Sequence, residues 1–294
     1  FSGVHTAIVT PFDENGVDHQ ALAALIELQI EGGIDGIVPC GTTGESSTLS
    51  DEEILAVIET TVKVAAGRCQ VIAGVGTNNT ARTIELAQAA HEIGADAGLV
   101  ITPYYNKPTQ AGLFAHFTAV TDAVPGLPVV MYNVPSRTGV SLSLETIIRL
   151  SKNPSIVALK EATADMDFAA RIAAACGRDL TLLSGDDATA LTMWSVGGQG
   201  VVSVTSNLLP NQIKALWTAF ANNDPERARA LNHRLIPLFE GLFMETNPVP
   251  VKELVARNTG VCNGRVRLPM VPLEPETMNR LEAICHRLEI PLSK

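Results

Sequence analysis

Eight short apolar runs are spread along the chain at residues 4–12, 36–40, 70–76, 97–105, 127–134, 156–162, 180–187 and 200–206. Several are nearly continuous Val, Ile, Leu and Ala, the pattern of parallel strands covered on both faces. Between the runs, apolar positions recur with helical spacing. Leu22, Leu25, Ile26 and Ile30 fall on one face, as do Ile54, Val57, Ile58, Thr61, Val62 and Ala65, and then Leu86, Ala89, Ala90 and Ile93. Ser50 followed by Glu53 predicts a capping box at the start of the second helix, each side chain satisfying a free N–H at the helix end.

Eight strands alternating with helices predict a (β/α)8 TIM barrel, a fold that takes ~250 residues. A doubly wound open sheet competes, but it usually has fewer strands, and its GxGxxG fingerprint is missing. Residues 1–223 are read as the catalytic barrel. Residues 224–294 carry helical patterns from Pro225, Val249 and Pro275, and are read as a C-terminal helical extension that could contribute oligomer contacts.

Charge narrows the partners. Asp and Glu outnumber Lys and Arg by 31 to 21, a net charge of -10, so nucleic acid and anionic membrane surfaces would be repelled. No run of ~18 apolar residues predicts a membrane span. The N-terminal FSGVHTAIVTPF has no basic segment before its apolar stretch and does not read as a signal peptide. The five cysteines include no CxxC, which argues against a disulfide framework and for a reducing, cytoplasmic setting. The histidines are scattered, with no HExxH, and nothing in their spacing asks for a metal.

In a barrel of this kind the chemistry lies at the C-terminal ends of the strands. Those ends carry Gly41-Thr42-Thr43-Gly44-Glu45, Tyr104-Tyr105-Asn106, Tyr132 through Gly139, Lys160-Glu161 and Gly185-Asp186-Asp187. Lys160 stands out, because alternation puts it on the face shared with Ile156 and Ala158. Desolvation there would disfavour an ammonium and expose a nucleophilic amine. The competing reading is a lysine snorkelling from the strand's solvent end or paired with Glu161. Tyr132 is the candidate proton shuttle, with Thr42 and Tyr105 able to pass protons onward; each tyrosine could instead simply pack at the barrel mouth. Gly41-Thr42-Thr43-Gly44 is either a capped turn or a nest of N–H groups and hydroxyls for a carboxylate. Arg137, in a Pro- and Gly-bounded loop, suits a second carboxylate through its planar fork, or is a solvated loop charge. Gly197-Gly198-Gln199-Gly200 resembles a phosphate loop but precedes the eighth strand and should lie at the opposite face. Asp186 and Asp187 lack an evident third ligand for a cation. Cys40 reads as a small buried hydrophobe.

At AIVTPF, GTTGES, VIAGVG, TPYYNKP, YNVPSRTG, KEAT, LLSGDDA, GVVSVTSN and NPVPVK the sequence resembles the dihydrodipicolinate synthases, among the pyruvate-dependent Schiff-base aldolases. These segments span residues 7–252; the double tyrosine and the full YNVPSRTG are the more specific. The resemblance implies a lyase of the diaminopimelate and lysine pathway that condenses pyruvate with aspartate 4-semialdehyde and needs no metal or organic cofactor. It implies that Lys160 forms the Schiff base and that Tyr132 relays protons with Thr42 and with a Tyr105 inserted from a neighbouring subunit. Thr43 would bind the pyruvate carboxylate and Arg137 that of the semialdehyde, with backbone groups at Gly185 and Val202 lining the pocket. Val202 stands where the family often has Ile. A homotetramer built from tight dimers is implied as well.

A sister lyase acting on a sialic acid or keto-deoxy sugar acid would share Lys160, Tyr132 and the Gly-Thr-Thr-Gly nest, but would need a polyol pocket rather than Arg137. A catalytically silent, carboxylate-sensing barrel is disfavoured by the intact lysine, tyrosine and threonine set. The resemblance also bears on feedback by lysine. Ser46, Asn78 and Tyr104 match the effector site of lysine-sensitive relatives, whereas Asp51 and Ile54 replace two histidines and Arg82 replaces a glutamate. Weak or absent inhibition is the expectation.

Overall fold

The computed structural model describes residues 1–293, and every apolar run contributes one strand. In chain order the elements are β1 (Gly3–Ala7), α1 (His19–Glu31), β2 (Gly36–Val38), α2 (Asp51–Ala65), β3 (Gln70–Gly74), α3 (Thr80–Ile93), β4 (Ala97–Ile101) and α4 (Gln110–Ala123). Then come β5 (Val129–Asn133), the single turn α5 (Pro135–Thr138), α6 (Leu144–Leu150), β6 (Ile156–Glu161), α7 (Met166–Cys176), β7 (Thr181–Ser184), α8 (Asp187–Ser195) and β8 (Gly200–Ser203). Four helices follow: α9 (Pro210–Ala221), α10 (Pro225–Gly241), α11 (Val249–Thr259) and α12 (Pro275–Arg287). The strands pair in parallel in sequence order, and β8 returns to β1, closing a (β/α)8 barrel.

Local chemistry sets the helix starts. Asp18, Ser50, Asn79, Thr109, Ser143 and Asp165 each accept a backbone N–H of the helix they open. Such a cap contributes typically about 1 kcal/mol. Ser50 and Glu53 form the reciprocal capping box. The face of α3 is rotated slightly from its expected position: Thr83, Leu86, Ala87 and Ala90 are buried, whereas Ala89 and Ile93 are only partly covered.

Two apolar layers result. Inside the barrel, small and branched residues such as Ala7, Val38, Ile72, Leu99, Val130 and Leu183 fill the lumen. The second layer lies between strands and helices and runs on into α10, α11 and α12. The closing seam is tied by Asn207, which accepts from Val9 N–H at 3.0 Å and donates to the Ala7 carbonyl at 2.8 Å. The chain beyond β8 packs α10 against α8, α9 and α12. No helix among the described residues is long and apolar enough to cross a membrane.

One expectation from strict alternation fails. Val129 pairs with Ile156 but Val130 pairs with Ala158, a register shift at Val157. A bulge adds one residue to one strand and slips its facing. Ile156 therefore packs in the outer layer, and Lys160 shares the inward face with Ala158 only.

Two histidines are buried as neutral rings. Desolvation lowers both His5, on β1, and His116, on α4, from 6.5 to about 4. Above pH 6.5 both folded and unfolded chains hold these rings neutral. As pH falls toward 4 the unfolded chain takes up the protons first, so stability is lost across this window, by on the order of 3 kcal/mol per ring. Denaturant unfolding at pH 7, 5.5 and 4 should show this decline, and a His116→Gln variant should show a shallower one.

Candidate active site

Parallel pairing of β5 with β6 sets Tyr132 directly opposite Lys160. Both side chains point into the barrel. Lys160 is 5% exposed, and its Nζ lies 4.1 Å from the centroid of the Tyr132 ring. A cation or amine over a ring face is held by the ring quadrupole without a formal counter-charge. Lys160 makes no ion pair among the described residues. Glu161 faces the other way: its carboxylate accepts from Asn133 Nδ2 at 2.8 Å and from Thr163 N–H at 2.7 Å. The reading of Lys160 as a surface lysine paired with Glu161 is thereby excluded. Glycine is required beside the amine. A Cβ on Gly185 would fall 2.7 Å from the Ala162 Cβ and 3.2 Å from the Lys160 Cε.

Two cavities open at this rim. The smaller, about 400 Å³, is lined by Thr43, Lys160, Gly185 and Asn247 among others. The larger, about 470 Å³, runs outward over Ser46, Ile54, Arg82 and Tyr104. Thr42, Tyr132 and Arg137 line both and stand at their junction. The Thr42 and Thr43 N–H groups meet no acceptor among the described residues, as a nest for an anion requires. Arg137 sits on α5, exposed, and makes no ion pair among the described residues. A planar cation free of protein carboxylates can grip a carboxylate through both its edges.

The structure gathers six of the sequence candidates around the two cavities: Lys160, Tyr132, Thr42, Thr43, Arg137 and Gly185. Two lie elsewhere. Tyr105 is 89% exposed on a left-handed backbone (φ 71°) and lines neither cavity of its own chain. Val202 is buried in the lumen on β8, and Val204, two residues on, reaches the smaller cavity.

The remaining polar groups are occupied as supports. Asp187 is buried and accepts from the N–H groups of Val204 and Thr205 and from the Thr205 hydroxyl, at 2.8–3.0 Å, so it fixes the turn after β8. Burial pushes its carboxyl upward, opposed by these hydrogen bonds. Burial likewise raises the Glu161 carboxyl. Asp186 caps α8 through Thr189. Cys40 is buried against the Ile54 carbonyl, and desolvation raises its thiol. Gly198 and Gln199 immediately precede β8, at the strand's N-terminal end and away from the cavities.

In the larger cavity, Arg82 is bound to the Asp51 carboxylate, its Nε at 3.0 Å. Asp51 is therefore already engaged, and is not a free anion for an incoming ammonium.

Asn247 is a site residue that no sequence role had covered. It follows α10, in the segment assigned to the helical extension, yet it lines the smaller cavity and its Nδ2 donates to Thr43 Oγ1 at 3.0 Å. NPVPVK is one of the segments that carry the family resemblance, but nothing in its spacing says that it returns to the loop after β2.

The chain matches the model of the dihydrodipicolinate synthetase family over residues 1–288. The 4-hydroxy-tetrahydrodipicolinate synthase of Magnetococcus marinus is 50% identical to it over 293 residues, 100% of this chain and 98% of that protein. A dihydrodipicolinate synthase crystal structure from Aquifex aeolicus superposes with a TM-score of 0.97 at 44% identity, covering 100% of both chains. That of a chloride-inhibited dihydrodipicolinate synthase from Acinetobacter baumannii, complexed with pyruvate, superposes at 0.95 with 42% identity, covering 98% of this chain and 99% of the other.

Proposed function

This chain belongs to the dihydrodipicolinate synthetase family, and on that premise we propose that it condenses pyruvate with L-aspartate 4-semialdehyde to 4-hydroxy-tetrahydrodipicolinate. The observation that carries this reading is the buried Lys160 side chain over the Tyr132 ring: Lys160 lines the smaller cavity, beside the unpaired Thr42 and Thr43 N–H groups, and Tyr132 and Arg137 stand where that cavity meets the larger one.

Lys160 Nζ attacks the keto carbon of pyruvate, forming a carbinolamine. Tyr132 donates a proton to the leaving hydroxyl, water departs, and an imine remains. Thr43 and the adjacent N–H groups hold the pyruvate carboxylate. Loss of a proton from the methyl group gives the enamine, which adds through that carbon to the aldehyde of the second substrate. Arg137 holds the carboxylate of that substrate. Its amine then displaces Lys160 from the imine carbon, closing the ring and releasing the free lysine. Tyr132 needs a route for protons to bulk water. Thr42, beside it at the cavity junction, begins that route, and Tyr105 from a neighbouring subunit completes it. A tyrosine held almost wholly in solvent on a left-handed backbone is suited to insertion into another chain. That role for Tyr105 requires at least a dimer; a homotetramer assembled from tight dimers and a cytoplasmic setting belong to the same reading, as the family resemblance implies them. Arg137 at the entrance favours a charged second substrate over the polyol of a sugar-acid lyase.

Borohydride reduction in the presence of pyruvate should leave one adduct, and mass spectrometry should place it on Lys160. An adduct on another lysine, or none, removes the assignment. Turnover with aspartate semialdehyde but not with a sugar aldehyde separates the synthase from its sister lyases.

Mixing inactive Tyr105→Phe and Lys160→Ala chains should restore part of the activity, since hybrid dimers contain one intact site. Hybrids that form and stay inactive would confine Tyr105 to its own chain or to no role.

L-Lysine should inhibit weakly. Arg82 and Asp51 neutralise each other and Ile54 offers no hydrogen bond, so neither ammonium of the effector finds a free carboxylate among these three residues. With lysine titrated into the millimolar range, activity should stay within about twofold of its starting value, against the ~5- to 150-fold coupling of typical effectors. Strong inhibition abolished by Tyr104→Phe would show that the effector site survives these substitutions.

A further inference from the structure

The loop that carries Thr42 and Thr43 has almost no secondary structure of its own. It leaves β2, passes Cys40 and Glu45 in left-handed conformations (φ 55° and 56°), and enters a single turn of 3₁₀ helix at Ser46–Thr48. Residues without glycine's freedom hold that conformation only when surrounding contacts over-determine it. Some of those contacts are local, such as the Thr10 hydroxyl donating to the Gly44 carbonyl at 2.7 Å, but those on the Glu45 side chain come from the far end of the chain. Glu45 is buried two residues beyond Thr43. Its Oε1 accepts from Lys252 Nζ at 2.6 Å and its Oε2 from the Arg267 N–H at 3.2 Å. Lys252, on α11, has a fully buried side chain, and its Nζ also lies 4.0 Å from the centroid of the Phe12 ring, in the loop after β1. Asn247 reaches Thr43 itself, and Arg267 bridges the Thr48 carbonyl to Glu53.

We propose that the buried Lys252–Glu45 pair, seated on Phe12, is a positioning device that holds the Thr42–Thr43 nest at the distance from Lys160 at which a pyruvate carboxylate is gripped. A fully buried ion pair is a poor source of net stability, because desolvation of both charges offsets their attraction. Its value lies in geometry: removing either partner leaves a buried charge, so the pair has one arrangement. The chain carries ion pairs on its surface as well, but both members of this one are 0% exposed. Its location directly behind the carboxylate nest, rather than in the general core, ties it to substrate rather than to folding. Lys252 touches no reacting atom and acts only through Glu45.

This inference rests on the proposed synthase reaction, and the experiment separates the two. Lys252→Met alone would leave Glu45 buried and unpaired and would destabilise the chain, so the informative variant is the double Lys252→Met/Glu45→Met, which strands neither charge. Its thermal unfolding should stay near that of the wild type. Pyruvate KM should rise and kcat/KM for pyruvate fall by on the order of 100-fold, the cost of a misplacement of about 1 Å. The KM for aspartate semialdehyde, held by Arg137 on a different loop, should move less than threefold. Borohydride trapping of pyruvate on Lys160, which needs no second substrate, should slow in parallel. A folded double variant with wild-type pyruvate KM and trapping rate overturns the inference. If the double variant does not fold, Phe12→Leu decides, because it keeps both charges and removes the ring beneath the ammonium. It should raise pyruvate KM selectively, and an unchanged KM overturns the inference. A wild-type chain that traps pyruvate on Lys160 but does not turn over aspartate semialdehyde would fail the synthase reading, and the trapping comparison would still test the clamp. A wild-type chain that traps no pyruvate overturns both.

Discussion

The pairing of Tyr132 with Lys160 across β5 and β6 is the contact around which the rim is organised. Strand residues alternate, so fixing these two side chains inward fixes Asn133 and Glu161 outward. The inward pair lines the smaller cavity, with Tyr132 also reaching the larger one. The outward pair hydrogen-bonds to each other and to the loops that follow: Asn133 Oδ1 accepts from the Leu142 N–H at 3.0 Å, beyond α5, and Glu161 accepts from the Thr163 N–H. One register therefore serves two purposes. It presents the Lys160 and Tyr132 side chains to the smaller cavity and anchors the backbone that carries Arg137.

The electrostatic layout follows from what the barrel leaves unpaired. Acidic residues near the rim are committed: Glu161 to backbone and amide donors, Asp187 to the turn after β8, Glu45 to Lys252 and Asp51 to Arg82. Among the described residues, Lys160, Arg137 and the N–H groups of Thr42 and Thr43 are not paired with protein anions. A net charge of -10 thus coexists with a rim whose open groups are donors. Such a rim is locally suited to negatively charged small molecules, in a protein whose overall field would repel nucleic acid.

The fold was legible because its signals are periodic and local. Eight apolar runs, the Ser50–Glu53 box and the helical patterns from Pro225, Val249 and Pro275 all correspond to elements. The lysine and tyrosine were legible because their neighbours in sequence are also their neighbours in the strand. What escaped reading depends on distance or on slippage. The bulge at Val157 moves Ile156 to the other face, and alternation alone carries no trace of it. Asn247 and Lys252 meet Thr43 and Glu45 across 204 and 207 residues of chain, a separation no spacing rule spans. Tyr105 was legible as a motif, but its own chain leaves it in solvent.

The two anchors behind the rim have a consequence for how such a barrel diversifies. The threonine loop is held from the C-terminal segment through Asn247, Lys252 and Arg267, whereas the arginine loop is held from the barrel through Asn133 and Glu161. The supports named for one loop are not those of the other. Substitutions that reshape the second loop can therefore accumulate without disturbing the first, and a lineage can exchange its electrophile while inheriting the same enamine chemistry. Divergence of specificity in this scaffold is a change to one module of a two-module mouth.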